Sequence, residues 1–199
     1  PRLVKDGRSM RIGVLALQGD FSEHITMLQR IGVEAIEVRL PKHLDDLDGL
    51  IIPGGESTTI GKLATAYQLM QPLRQFGQEK AIWGTCAGMI LLANKIVNQD
   101  WTYLNVLDVA VRRNAYGSQL DSFQAQAVVE RVSPEPFPLV FIRAPYIEKV
   151  GLNVEVLLRL DGHIVAVKQH NMLATAFHPE LTGDLRFHQF FVNMLNGGA

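Results

Sequence analysis

A turn between two glycines places the strongest constraint on how this chain can fold, and it surrounds the single cysteine of the sequence. Residues 82–89 read Ile-Trp-Gly-Thr-Cys-Ala-Gly-Met, and a helix-forming run over residues 89–93 follows. The Gly-x-nucleophile-x-Gly spacing is typical of a sharp strand-to-helix turn that leaves no room for larger residues at the two glycines. A helix N-terminus also favours a thiolate over a thiol. Cys86 is therefore a candidate nucleophile, and the alternative is a buried structural cysteine.

The overall composition narrows the class of protein. The chain has 199 residues, enough for one domain, with 19 Lys and Arg against 20 Asp and Glu. This balance gives no basis for nucleic-acid binding by electrostatics. One cysteine excludes an internal disulfide framework and suits a reducing compartment. The apolar stretches are too short for a membrane span, and no signal-peptide pattern is present. We expect a cytoplasmic protein with neither a membrane nor a nucleic acid as its partner.

Residues 1–9 are polar and precede Met10, where the first strand pattern begins. We expect this segment to be a vector-derived or disordered tail. A single domain is then expected over residues 10–199, because no linker or low-complexity tract divides the rest of the chain.

Strand and helix patterns alternate in the first half of the chain. Apolar strand patterns occupy residues 11–17, 33–38, 50–52 and 81–83. A helical pattern covers residues 21–31, and two more helical segments, separated near Pro72, precede the fourth strand. Strands separated by helices pair in parallel through right-handed crossovers.

After residue 95 the predicted strands come closer together. They cover residues 106–111, 123–129, 139–143, 154–160, 164–168 and 174–177, and a helix is predicted over residues 184–195. Asp161-Gly162 gives a hairpin signal between two of them. The fold class predicted is α/β, an open, mostly parallel sheet flanked by helices in three layers of flavodoxin-like type, with added antiparallel strands.

Ligands of such sheets bind at the carboxyl ends of the strands. Cys86, Gly54-Gly55 and Gln18-Gly19 all follow predicted strands, so we expect them to line one cleft.

A cysteine nucleophile needs a base, and His178 is the best candidate. It precedes Pro179, which favours an extended backbone, and residues two apart in an extended segment project to the same side. Glu180 can then accept a hydrogen bond from the ring, as the acid of a nucleophile–base–acid triad does. The alternative is a loop histidine beside a solvated glutamate. The other histidines are more simply surface, turn or packing residues: His24, His43, His163, His170 and His188.

Acyl transfer also needs donors for an oxyanion. The N–H of Ala87, at the start of the helix after Cys86, is one candidate, and the Gly54-Gly55 loop over residues 53–59 is another. Alternatively, this loop is a well-capped strand-to-helix turn. It lacks the spacing of a phosphate-binding loop. No cluster of cysteine, histidine and carboxylate residues has zinc-ligand spacing, so no metal is expected.

Taken together, Gly84–Gly88 and His178-Pro179-Glu180 resemble the class I (triad) glutamine amidotransferases. Within that class, four further segments resemble the glutaminase subunits of pyridoxal 5′-phosphate synthases, and the match extends over residues 10–196. The four segments are residues 15–20, 53–59, 112–119 and 141–145.

The resemblance implies a role for each matching residue. Cys86 would attack the side-chain amide of L-glutamine to give a glutamyl thioester, His178 would act as base and then acid, and Glu180 would orient it. The substrate would be held by Gly55, Glu56, Ser57, Arg113, Ile142 and Arg143. Gln18 and Gly19 would form an activation loop near the oxyanion donors. Without the resemblance, Arg112 and Arg113 would be interpreted as a solvated strand end.

The resemblance also implies a partner. Ammonia would pass to a synthase subunit of barrel fold that builds pyridoxal 5′-phosphate, and the chain itself would need no cofactor. Two alternatives stay open: a glutaminase subunit that serves another ammonia-using synthase, and a non-catalytic module of similar fold with Cys86 as a redox sensor.

Overall fold

Strands and helices alternate through the first half of the chain, as the apolar pattern predicts. The structure is a computed structural model, and it describes residues 1–113 and 122–197. The elements are β1 (Val4–Lys5), β2 (Arg8–Ser9), β3 (Arg11–Leu15), α1 (Phe21–Ile31), β4 (Glu34–Val38), β5 (Gly49–Ile52), α2 (Ser57–Ala66), α3 (Met70–Glu79), β6 (Ala81–Thr85) and α4 (Ala87–Leu92). In this half, β3 pairs in parallel with β4 and β5, and β5 pairs in parallel with β6.

The second half is rich in strands. It contains β7 (Ala93–Ile96), β8 (Leu107–Arg112), β9 (Ser122–Ala127), β10 (Phe137–Ile142), β11 (Tyr146–Val150), β12 (Glu155–Leu160), β13 (His163–Gln169), β14 (Met172–Thr175) and α5 (Arg186–Leu195). Two short 3-10 helices, Pro41–Leu44 and Pro179–Leu181, complete the described elements.

One large sheet joins the two halves. Its strand order is β4-β3-β5-β6-β14-β13-β11-β8-β7, with β12 paired to β13. The strands β4, β3, β5, β6 and β14 are parallel, whereas β13, β11 and β8 continue the sheet with antiparallel pairing. β9 and β10 form a separate antiparallel pair. The predicted fold class, a mostly parallel α/β sheet with added antiparallel strands, is confirmed.

Helices cover both faces of the sheet, and neighbouring residues of β6 show the two layers. The Trp83 ring packs against Phe187 and Phe191 of α5. The preceding side chain along the strand points to the other face, where Ile82 lies beside Gly77 of α3. Both Ile82 and Trp83 are fully buried. The strand that leads into the cysteine turn is thus packed from both sides.

The break between α2 and α3 differs from the prediction, which put it near Pro72. α2 ends at Ala66, Gln68 adopts a φ of 59°, and α3 begins at Met70. Pro72 lies in the first turn of α3, where a backbone N–H has no partner within the helix and proline is tolerated. Four strands were not predicted: β1, β2, β7 and β11. Of these, β7 and β11 carry two adjacent polar residues in mid-strand.

The hairpin signal at Asp161-Gly162 is confirmed. Leu160 pairs with His163 across the turn, and the two central residues have φ values of 51° and 83°. Positive φ at both positions is what a tight two-residue hairpin turn requires.

Residues 1–9, expected to lie outside the domain, contact it at several points. The Leu3 N–H donates to the Gly32 carbonyl at 3.0 Å, and Lys5 Nζ donates to the Leu195 carbonyl at 2.6 Å. Arg8 forms two hydrogen bonds, at 2.9 and 3.2 Å, to the carboxylate of Asp48. The origin of this segment stays a prediction.

Among the described helices, none has the length and apolarity that crossing a membrane would need.

Candidate active site

Cys86 occupies a strained turn at the carboxyl end of β6. Its φ and ψ are 52° and −104°, a conformation that residues with a side chain rarely adopt. Its N–H donates to the Thr175 carbonyl of the neighbouring strand at 2.7 Å. A Cβ on Gly84 would lie 2.5 Å from the Gly88 carbonyl oxygen, and a Cβ on Gly88 would lie 2.0 Å from the Ile52 carbonyl oxygen. The nucleophile elbow (residues 84–88) therefore has the close backbone packing that the sequence predicts.

His178 and Glu180 meet beside this elbow. His178 follows β14, and its N–H donates to the Val140 carbonyl at 2.8 Å, which fixes its backbone next to β10. The ring Nδ1 lies 2.7 Å from Glu180 Oε2. Both side chains are buried. The predicted contact between acid and base is therefore present, but the backbone that makes it is the 3-10 helix Pro179–Leu181 and not the extended segment expected from the sequence.

Gly54 lies directly against the histidine and the cysteine. A Cβ at this position would come within 2.4 Å of His178 Cε1 and 3.4 Å of Cys86 Cβ. The absence of a side chain at Gly54 therefore allows His178 and Cys86 to approach each other. Because Nδ1 contacts Glu180, the second ring nitrogen, Nε2, is the one free for the thiol, and it has no hydrogen-bond partner among the described residues.

His178 and Glu180 form a buried pair, and this environment shifts the pKa of both side chains. Burial lowers the pKa of His178, but the neighbouring Cys86 and the hydrogen bond to Glu180 outweigh it and raise that pKa to about 10. Burial raises the pKa of Glu180 above its usual range, and the contact with His178 opposes this rise. The imidazolium form is thus stabilised where a base must hold a proton.

Two loops close together form the floor beside Cys86. Gln18 Oε1 accepts a hydrogen bond from the Glu56 N–H at 2.8 Å, and the Asp20 N–H donates to the Gly54 carbonyl at 2.9 Å. Gly19 has a φ of 96°, and a Cβ on it would lie 1.9 Å from the Gly54 carbonyl oxygen. The predicted activation loop and the predicted oxyanion loop are therefore directly bonded to each other.

A cleft of about 520 Å³ opens above these residues. Most of the predicted site residues line it: Gln18, Gly55, Glu56, Ser57, Cys86, Ala87, Arg113, Ile142, Arg143 and His178. Of the remaining three, Glu180 lies behind His178, Gly54 lies beneath Cys86, and Gly19 packs on Gly54. Asp20, Thr58 and Ile90 line the cleft as well and were not predicted as site residues.

The two predicted substrate arginines face the cleft in different ways. Arg113 is fixed, because one Nη2 atom donates to Ser57 Oγ and to Tyr103 Oη, both at 2.8 Å. Arg143 has a φ of 46°, and its Nη1 lies 3.9 Å from Glu56 Oε1 at the open mouth. The preceding Ile142 carbonyl lies 3.7 Å from Cys86 Sγ. Residues 114–119, within the third resembling segment, lie outside the described residues.

Asp20 brings a second carboxylate to the triad histidine. Its Oδ2 lies 3.5 Å from His178 Nδ1, and burial raises its pKa. Asp20, His178 and Glu180 each place a ligand atom within 4.8 Å of the others, so together they could hold a metal ion. The short Glu180 contact instead assigns the His178 Nδ1 proton to a hydrogen bond.

Two further histidines lie behind the triad. His24 and His188, interpreted from sequence as surface or packing residues, have no exposed surface. His24 Nε2 lies 3.7 Å from Glu180 Oε1. No sequence signal links them to the site, because His24 and His188 are 164 positions apart and neither belongs to a motif.

Comparison with known proteins points to one family. The model of the SNO glutamine amidotransferase family matches residues 14–197. The chain is 55% identical over 189 residues to the pyridoxal 5′-phosphate synthase subunit PdxT of Roseiflexus castenholzii, covering 93% of this chain and 100% of that one. It is 50% identical to the protein of the same name from Clostridium acetobutylicum, with the same coverage.

Solved structures agree with this match. A crystal structure of a glutamine amidotransferase superposes with a TM-score of 0.88 at 49% identity, covering 93% of this chain and 98% of that one. PurLQS from Thermotoga maritima has a TM-score of 0.71 at 20% identity, with 94% and 99% covered, and shares the fold.

Proposed function

Because this chain belongs to the SNO glutamine amidotransferase family, we propose that it hydrolyses L-glutamine to L-glutamate and ammonia as the glutaminase subunit of a pyridoxal 5′-phosphate synthase. The relatives named PdxT, at 50 to 55% identity over nearly their whole length, support the assignment to this synthase. The observation that carries the chemistry is the buried contact of 2.7 Å between His178 and Glu180, beside Cys86 in the wall of the cleft.

The reaction starts at Cys86. The thiol gives its proton to His178 Nε2, and the resulting thiolate attacks the amide carbon of the glutamine side chain. Glu180 accepts the Nδ1–H and stabilises the imidazolium that forms. His178 then gives the proton to the leaving nitrogen, ammonia departs, and a glutamyl thioester remains. Water, deprotonated by the same histidine, attacks the thioester to release glutamate and restore the thiol.

The oxyanion formed at each attack needs N–H donors. α4 begins at Ala87, and the N–H groups of a first helical turn have no partner within the helix. The Ala87 N–H is adjacent to the nucleophile, Gly54 packs against Cys86, and Gly55 lines the cleft. We assign the oxyanion hole to Gly54, Gly55 and Ala87.

Substrate binding is assigned to the mouth of the cleft. A free amino acid carries a carboxylate, which a guanidinium can bind through two parallel hydrogen bonds. Arg113, already oriented by Ser57 and Tyr103, is placed to do this. Glu56 offers a carboxylate for the substrate ammonium, and Gly55, Ile142 and Arg143 complete the wall.

The reaction product, ammonia, indicates what kind of partner the chain needs. Ammonia takes up a proton in water and then loses its nucleophilicity, so transfer to a docked synthase subunit, of barrel fold, protects it. The Gln18-Gly19 loop is the element we assign to activation by docking, because it bonds directly to the oxyanion loop. We expect the reaction to take place in the cytoplasm, since the thiol of Cys86 must stay reduced.

The test follows glutamate release from L-glutamine with and without the pyridoxal 5′-phosphate synthase subunit. We expect weak activity alone and a clear rise with the partner. Cys86→Ala should abolish it, and His178→Asn should lower kcat by about 10² to 10⁴-fold. Glu180→Gln should cost less than Cys86→Ala, because the nucleophile remains. His170→Asn is the control, since this exposed loop histidine lies outside the cleft and has a positive φ that asparagine tolerates.

Other results would select the alternatives. A rise with a different ammonia-using synthase, and none with the pyridoxal 5′-phosphate synthase subunit, would replace the pathway. Full activity in Cys86→Ala, or none in the native chain with any partner, would favour a non-catalytic redox module.

A further inference from the structure

Two fully buried histidines form a chain that leads to the triad carboxylate. His24 of α1 and His188 of α5 contact each other through Nδ1 and Nε2 at 2.8 Å. The other nitrogen of His24, Nε2, lies 3.3 Å from Thr85 Oγ1 and 3.7 Å from Glu180 Oε1. Both rings pack edge-on against Trp83, with centroid separations of 5.6 and 4.7 Å. The mechanism above uses neither histidine.

We propose that His24 and His188 are positioning residues for Glu180, with His188 fixing the tautomer of His24 so that a neutral Nε2–H faces the carboxylate. The proposal deepens the proposed function, because it assumes that Glu180 orients His178. It assigns the two histidines no contact with substrate.

The tautomer follows from counting donors and acceptors. One of the two nitrogens in the 2.8 Å contact must carry the proton. If His24 donated from Nδ1, its bare Nε2 would face the carboxylate of Glu180. The remaining nitrogen of His188, Nδ1, would then be a buried N–H without an acceptor among the described residues.

The opposite arrangement, in which His188 donates to His24, leaves no bare nitrogen facing the carboxylate and no buried N–H without an acceptor. When His188 donates from Nε2, its unpartnered Nδ1 carries only a lone pair, and His24 presents Nε2–H to Thr85 Oγ1 and Glu180 Oε1. Burial also lowers the pKa of both histidines, that of His188 to about 3, and the neighbouring His188 and His178 lower the pKa of His24 further. Both rings are therefore neutral beside an imidazolium.

The consequence for catalysis lies in the two oxygens of Glu180. Oε2 binds His178, whereas Oε1 is buried and has no hydrogen-bond partner among the described residues. The distance of 3.7 Å is too long for a hydrogen bond, but the N–H dipole of His24 still favours negative charge at Oε1. This interaction opposes rotation of the carboxylate, which would remove Oε2 from His178. Partners that orient metal ligands change activity by about 10-fold or more when they are lost, and we expect an effect of this size here.

The test compares His188→Phe with His188→Gln, each measured in the complex with the synthase subunit. Phenylalanine fills the same space without a donor, whereas glutamine keeps an N–H at the position of Nε2. We expect kcat to fall about 10-fold in His188→Phe with the KM for glutamine unchanged, and to recover in His188→Gln. The pH dependence of Cys86 alkylation by iodoacetamide should shift in His188→Phe and should match that of the native protein in His188→Gln.

A change in melting temperature with unaltered kcat and alkylation profile would overturn the proposal, because it would mean that the pair only fills space. Nitrogen-15 NMR of histidine-labelled native protein tests it without relying on the folding of a variant. Neutral rings protonated at Nε2 are expected for both residues. A proton on Nδ1 of His24, or a charge on either ring at neutral pH, would contradict it.

These results separate the two proposals. If Cys86→Ala keeps full activity, the triad assignment fails whatever the tautomers are. If Cys86→Ala abolishes activity and His188→Phe does not change kcat, only the positioning role fails.

Discussion

At the scale of single residues, the site depends on side chains that are fixed before any substrate arrives. His178 is held by a main-chain hydrogen bond at one end and by Glu180 at the other. Arg113 is likewise oriented by two hydroxyl groups. Such preorganisation lowers the entropic cost of reaching the reactive geometry.

The contrast between two adjacent arginines gives a prediction. Arg113 lines the cleft, whereas Arg112 pairs with Glu148 and is not part of the cleft wall. Arg113→Lys should raise the KM for glutamine by about 10-fold, because lysine cannot bind a carboxylate in a bidentate fashion. Arg112→Lys is the matched control and should leave KM unchanged. Steady-state kinetics with the partner present will show whether the two variants differ, and equal KM values would remove Arg113 from the substrate site.

At this scale, contacts between residues close in sequence could be predicted, and contacts between distant residues could not. The two-residue spacing of His178 and Glu180 predicts that they meet, although the 3-10 helix Pro179–Leu181, and not an extended segment, brings them together. His24 and His188 come together only because α1 and α5 pack on the same face of the sheet, around Trp83. No local pattern encodes that contact. The role of Arg113 likewise rested on the family resemblance.

At the scale of elements, the nucleophile elbow depends on how closely β6, α4 and β5 approach. The backbone at Gly84 faces that at Gly88, and Gly88 in turn faces Ile52 at the end of β5. Three elements therefore meet without intervening side chains. This packing supports the unfavourable φ and ψ of Cys86.

Gly88→Ala should therefore destabilise the domain as well as the site. A methyl group 2.0 Å from the Ile52 carbonyl oxygen forces α4 away from β5, which should lower the free energy of unfolding by about 1 to 3 kcal/mol. Gly183→Ala is the control, because a Cβ added at Gly183 would have no atom within 4 Å and the φ there needs no glycine. Urea unfolding of both variants measures the effect. A Gly88→Ala protein as stable as Gly183→Ala would mean that the elbow can widen without cost.

Elements with a strong period or a turn signal were predicted well, and those set by tertiary pairing were not. Buried strands such as β5 and β6 have continuous apolar runs, and the Asp161-Gly162 turn has its own backbone requirement. β7 carries exposed Asn94 and Lys95 in mid-strand, so its pairing with β8 shows no apolar pattern. Pro72 was misplaced because proline marks both helix breaks and helix starts.

At the scale of the whole molecule, the buried histidines link stability to pH. The pKa of His188 is about 3 in the folded protein, against 6.5 for an unperturbed histidine. Between these two values the unfolded chain binds a proton at this position that the folded chain does not. The stability of the fold must therefore fall as the pH drops from about 6.5 towards 3.

His188→Gln should remove that part of the pH dependence. The slope lost is at most about 1.4 kcal/mol per pH unit over this range, and the difference between the two proteins should be constant above pH 7. Urea unfolding of native and variant chains at a series of pH values measures it. Parallel curves down to pH 4 would show that the folded protein accepts a proton at His188 as readily as the unfolded chain does.

The contacts of residues 1–9 have a practical consequence. Leu3 bonds to Gly32, which lies just before β4, and Lys5 bonds to Leu195, whose side chain lies against Gly49 at the start of β5. Both ends of the described chain therefore lie at the amino edge of the parallel strands, whereas the catalytic cleft opens at the carboxyl edge. A surface tether or a fused reporter attached at either end would leave the mouth of the cleft, and the approach of glutamine to it, unobstructed.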